Sequence, residues 1–84
     1  EHYRRALATD PENPVAAYNL GVALEDQGDA EAAIGLYRRA VRWDPERADA
    51  HFNLARLYEA RGEPMKALRH MLRYRSLTGA APPA

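Results

Sequence analysis

Tyr3-Arg4-Arg5-Ala6 returns as Tyr37-Arg38-Arg39-Ala40, and Asp10-Pro11-Glu12 returns as Asp44-Pro45-Glu46. The offset is 34 residues in both cases (3 to 37, 10 to 44). It also pairs Ala16 with Ala50, Asn19-Leu20 with Asn53-Leu54, Glu25 with Glu59, Gly28 with Gly62 and Ala33 with Ala67. One offset kept over so many positions marks an internal repeat, and a repeat of this length is one supersecondary unit stacked on the next.

Each repeat divides into two helices. Gly28 and Gly62 sit where a left-handed residue ends a first helix. Asp29 caps the second helix, and in the later repeat Pro64 occupies its first position, where a missing N–H costs nothing. The second helices stop at Asp10-Pro11 and Asp44-Pro45, because the residue before proline is forced out of the α region. Asn13-Pro14 restarts the pattern as cap and first residue. The spacing predicts helices near 2–9, 14–27, 30–43, 48–61 and 64–77. Apolar residues recur at three and four positions (Ala17, Leu20, Leu24; Ala33, Leu36, Tyr37, Ala40, Val41), and Gly21, Ala33, Ala40, Ala55 and Ala67 allow close helix approach. The expected fold is all-α.

Composition narrows the function. Twelve Lys and Arg balance twelve Asp and Glu, so net charge gives no reason to expect nucleic acid or an anionic membrane as partner. The absence of cysteine removes disulfides, thiolate chemistry and Cys-based zinc sites. No apolar run is long enough to span a bilayer, so a soluble chain compatible with the cytoplasm is expected, its compartment otherwise open. The chain starts at Glu1, already inside a helical pattern, which suggests a fragment of a longer protein. No catalytic group assembles: Ser76 is the only serine, Glu25 and Asp26 diverge by about 100° on their helix, and no metal-ligand spacing accompanies His2, His51 and His70. No enzyme activity and no cofactor is expected, and Trp43, Met65 and Met71 read as packing residues.

These residues resemble the tetratricopeptide repeat family. Residues 14–47 supply Leu20-Gly21, Ala33, Tyr37, Ala40 and Pro45 of its pattern, and residues 48–81 supply Leu54-Ala55, Tyr58, Ala67 and Met71. The departures are Ala17 and Leu24 in the first repeat and His51, Tyr74 and Gly79 in the second. The resemblance implies a right-handed superhelical α-solenoid of antiparallel helix pairs with five helices. It divides into a partial repeat at 1–13, repeats at 14–47 and 48–79, and a flexible tail at 80–84. Tyr74 stands where the family keeps alanine and is expected to obstruct a further repeat.

The resemblance also implies function: a protein-interaction module whose first helices line a concave groove for a peptide or partner helix. Carried onto this chain, the groove residues are Tyr18, Asn19, Val22, Glu25, Asp49, Phe52, Asn53, Arg56 and Glu59, with Val15, Asp26 and Ala60 beside them. The paired amides Asn19 and Asn53 each offer a donor and an acceptor to a peptide backbone, or bond locally instead. Tyr18 and Phe52 offer apolar anchors, or pack within the array. The family's clamp for a chaperone carboxylate needs Lys and Asn where this chain has Tyr18 and Val22, so that ligand is not expected.

Arg4, Arg5, Arg38, Arg39, Arg42, Lys66, Arg69, Arg73 and Arg75 lie on second helices, whereas Glu25, Asp26, Asp49 and Glu59 lie on first helices. A neutral or basic peptide therefore suits the groove better than an acidic one. Two alternatives remain. One is homo-oligomer assembly through array ends, where Tyr3, Ala6 and Leu7 form an uncovered apolar flank; the other is a structural spacer attached to an enzyme.

Overall fold

The computed structural model describes residues 2–79, with side chains from Arg4 onward. It contains α1 (His2–Thr9), α2 (Pro14–Asp26), α3 (Ala30–Trp43), α4 (Ala48–Ala60) and α5 (Pro64–Thr78). Helices α2 and α3 form one antiparallel hairpin, α4 and α5 the next, and α1 packs against α2 as the second helix of a partial hairpin. The anticipated tail at 80–84 lies outside the described residues.

The local signals act as the sequence predicts. Asn13 Oδ1 accepts from the Ala16 N–H at 3.0 Å and Asp29 Oδ1 from the Ala32 N–H at 3.1 Å, each satisfying a donor that a helix start would leave unpaired. Gly28 and Gly62 take φ of 86° and 79°, where a side chain is strained. The Asp29 and Glu63 N–H groups reach back to the carbonyls of Leu24 and Tyr58, both at 2.9 Å, closing the helix ends in the six-to-one pattern.

Two apolar clusters hold the hairpins together. The first joins Leu7 of α1, Ala16, Ala17, Leu20 and Leu24 of α2, Leu36 and Ala40 of α3, and Ala50 of α4. The second joins Ala33, Ile34 and Tyr37 of α3 to Leu54, Leu57 and Tyr58 of α4 and Ala67 of α5. Tyr18 and Val41 pack against both, so the array is continuous. Tyr37 and Leu54 are the largest fully buried side chains.

Gly21 is what admits Tyr37. A Cβ on Gly21 would stand 2.7 Å from Tyr37 Cε1, a separation that packed atoms do not tolerate.

Three expectations change. Leu7 is only 8% exposed and Ala6 is half-buried against the first cluster, so α2 already covers most of the N-terminal flank; Tyr3's side chain lies outside the described residues. Met65 is exposed rather than packed. His51 and His70, which no ligand spacing brought together, meet across the α4–α5 hairpin with their Nδ1 atoms 3.0 Å apart.

Candidate functional site

The anticipated groove residues fall into two groups: those bonded to one another and those that remain available. The first group is a hydrogen-bonded chain across three helices. The Tyr37 hydroxyl donates to Glu25 Oε1 at 3.0 Å, and Arg56 Nη2 meets Glu25 Oε2 at 2.6 Å. Arg56 Nη2 also donates to Asn53 Oδ1 at 3.3 Å, and Asn53 Nδ2 donates to the Tyr18 hydroxyl at 3.1 Å. Arg47 lies over the Tyr18 ring, 4.8 Å from its centroid, and pairs with Asp49 at 3.3 Å.

Burial and the bond to Glu25 push the Tyr37 phenol well above its ordinary range, and burial with nearby Asp49 raises that of Tyr18. Both hydroxyls stay protonated at physiological pH, which the donor role of Tyr37 requires.

This chain spends much of the polar capacity that the groove was expected to offer. Asn53 bonds locally, with one N–H and one lone pair left for a ligand. Its counterpart Asn19 is half-buried, and its side-chain amide makes no hydrogen bond to the described residues. Tyr18 is packed against both clusters and against Tyr37, ring centroids 5.5 Å apart, so it is a joint of the array rather than a free anchor. Of the first-helix acids, Glu25 and Asp49 are paired with arginines, while Asp26 and Glu59 are exposed.

The second group centres on Phe52. With Ala55 and Glu59 of α4 and Ala67, Leu68 and Met71 of α5, it lines a groove of about 460 Å³, and Arg56 stands on its rim. Phe52 is half-buried against the Tyr74 ring, centroids 5.1 Å apart. Leu68 is 51% exposed. Three anticipated residues, Phe52, Arg56 and Glu59, thus come together at the open flank of the last hairpin, whereas Asn19 and Val22 lie along α2. The apolar floor supplied by α5 was missed. Its signal was present: Leu68 is the 34-residue mate of Ile34, a buried residue, with no described helix beyond α5 to cover it.

On the opposite side, Arg38 and Arg42 of α3 and Lys66, Arg69 and His70 of α5 surround a second cleft. The His51–His70 pair lies beside it. Among the described residues, no group of three or more His, Asp or Glu side chains is arranged to hold a metal ion, and no helix is long and apolar enough to cross a membrane.

Two tetratricopeptide repeat profiles match, one over residues 24–76 and one over residues 1–45. The chain belongs to the tetratricopeptide repeat family. Its fold is similar to that of solved MamA structures. One aligns with a TM-score of 0.86 at 22% identity, covering 92% of this chain and 45% of that one. Two structures of MamA AMB-1 align with TM-scores of 0.79 and 0.82, both at 28% identity, covering 89% and 95% of this chain and 44% of each of theirs. The chain therefore spans a little under half the length of these structures. A search of curated proteins gives no match. Membership in the tetratricopeptide repeat family makes the chain a protein-interaction module.

Proposed function

We propose that this module holds a segment of another polypeptide across its first helices and into the apolar groove of the α4–α5 hairpin. The observation that carries the reading is the groove itself: an apolar cleft of about 460 Å³, lined by Phe52, Leu68 and Met71 and rimmed by Arg56 and the exposed Glu59. Burying such a surface gives association without directional chemistry, and Glu59 adds a preference for basic residues. Asn19, Val22 and Asp49 extend the contact along α2 and the start of α4. A site of two repeats suits affinity of about micromolar, near −8 kcal/mol.

Amide NMR titration of the 84-residue chain with basic, neutral and acidic peptide pools tests this reading. Shifts should gather at Phe52, Ala55, Glu59 and Met71 with the basic or neutral pools and disappear in Phe52→Asp, whose helicity is checked by circular dichroism. Shifts confined to other faces would refute it.

Self-association is the second reading, favoured by the exposure of Met65 (73%), Leu68 (51%) and Leu72 (51%) on α5. It requires sedimentation behaviour that changes with protein concentration when no peptide is present.

A further inference from the structure

The internal repeat contains an occupied copy of the open groove. Moving Phe52, Ala55, Glu59, Ala67, Leu68 and Met71 back by 34 positions gives Tyr18, Gly21, Glu25, Ala33, Ile34 and Tyr37. That earlier surface is covered by α4. Leu54, Leu57 and Tyr58 share a cluster with Ala33, Ile34 and Tyr37, Asn53 bonds to Tyr18 and Arg56 bonds to Glu25. The seat of α4 is thus a template for whatever fills the second groove.

The two grooves differ in a coordinated way, and the differences specify the occupant. Tyr18 becomes Phe52 and Tyr37 becomes Met71, so both hydroxyls of the first groove are lost. Gly21 becomes Ala55, a change permitted because Met71 replaces the ring that a Cβ would strike. The second groove is therefore more apolar, and a residue in the place of Asn53 would find no hydroxyl to bond; an unpaired buried amide there is unfavourable. The acid is retained: Glu59 takes the place of Glu25 and makes no ion pair with the described residues. Ala40, which shares a cluster with Ala50 at the start of α4, becomes Tyr74, a far larger side chain whose ring rests on Phe52. A helix in the second groove must therefore begin about one turn later than α4 does.

We infer that the α4–α5 groove receives a lone amphipathic helix of a partner polypeptide, bearing an arginine that pairs with Glu59. Its contact residues follow the order of Leu54, Arg56, Leu57 and Tyr58, with an apolar residue in place of Asn53. This rests on the reading proposed above and adds to it the helical conformation, the register and the charge of the partner.

The probe is a synthetic peptide copying residues 52–60, the part of α4 that follows its first turn, with leucine at the position of Asn53 and a lactam bridge on its solvent-facing side to hold the helix. Titrated into the 84-residue chain at low salt, it should shift Phe52, Ala55, Leu68 and Met71. A glutamate in place of the peptide's arginine, or Glu59→Arg in the chain, should each weaken binding about fivefold, as expected for an exposed ion pair. Combining the two reversals should restore it. Keeping asparagine in the peptide should weaken binding as well.

Groove shifts that ignore both charge reversals would overturn the arginine register. Shifts confined to Asn19, Val22 and Asp49 would overturn the helix while leaving first-helix binding in place, whereas silence with this probe and with every peptide pool would remove both readings. Concentration-dependent shifts at Leu68 and Met71 before peptide is added would assign the groove to a second copy of the chain and overturn the proposal.

Discussion

Ile34 and Leu68 stand 34 positions apart at matching places on α3 and α5, yet Ile34 is 4% exposed and Leu68 51%. The same holds for their neighbours: Tyr37 is fully buried, while its mate Met71 is only half so. What separates the hairpins is a neighbour. Helix α4 covers the first, and no described element covers the second. An apolar position in a stacked repeat is thus a core residue or a contact residue according to what lies next to it.

The largest effect should come from that contrast. Ile34→Ala removes a buried side chain and is expected to cost about 3 kcal/mol, whereas Leu68→Ala should change stability by about 0.5 kcal/mol or less, both read from urea unfolding. Equal losses would mean that the two hairpins are equally covered.

Next comes the coupled pair at the helix crossing. Gly21→Ala drives a Cβ into the Tyr37 ring and should destabilise by about 2 kcal/mol. Adding Tyr37→Met reproduces the second hairpin's combination of Ala55 with Met71 and should recover much of that loss. A strictly additive double mutant would show that the exchange of Gly–Tyr for Ala–Met is not coupled.

The interior of each hairpin differs too. Ala17 and Leu36 of the first are replaced by His51 and His70 in the second. His51 Nε2 lies 2.9 Å from the Pro45 carbonyl, which can only accept; His51 Nδ1 is then the bare nitrogen, and His70 Nδ1–H donates to it.

Burial, with the charges of His51, Arg69 and Arg38 against it, lowers the His70 pKa from 6.5 to about 4. The unfolded chain therefore binds the extra proton first. This contribution to stability is complete above about pH 6.5 and is lost as pH falls toward about 4, at no more than about 1.4 kcal/mol per pH unit. Installing the first hairpin's pair through His51→Ala with His70→Leu should flatten unfolding free energy between those pH values. A slope equal to that of the parent would place the acid sensitivity elsewhere.

The smallest effect is expected at Asn53. Asn53→Ala loses the bonds to Tyr18 and Arg56 and should cost about 1 kcal/mol, leaving the helices intact by circular dichroism. A melted variant would make that amide a structural element rather than a groove residue.

The helix map could be read from sequence because its rules are local. Asn13 with Pro14, Asp29, Gly28, Gly62 and Pro64 fix the helix ends through backbone geometry within a few residues. The five helices followed from these end signals, and the family resemblance from the motif residues that the two repeats carry, such as Leu20-Gly21, Ala33, Tyr37 and Tyr58.

The site was harder to read because its hydrogen bonds cross between helices. Asn53 reaches Tyr18, 35 residues away, and Glu25 reaches both Tyr37 and Arg56; which groups meet depends on helix separation, and spacing along the chain carries none of that. The histidine pair shows how the gap could have been narrowed. Mapping His51 and His70 back by 34 residues lands on Ala17 and Leu36, both members of one packed cluster, so their contact could have been foreseen. The same mapping would have flagged Leu68 through Ile34.

That the second hairpin presents a surface the first has already filled is open to direct measurement. Solvent paramagnetic relaxation of side-chain methyl groups, recorded with and without the lactam-bridged peptide, tests it most directly. Without peptide, the Leu68 and Met71 methyls should relax much faster than those of Ile34, and saturating peptide should bring them to the Ile34 rate. Leu68 and Met71 methyls as protected as Ile34 in the dilute free chain, or unchanged at saturation, would contradict the claim.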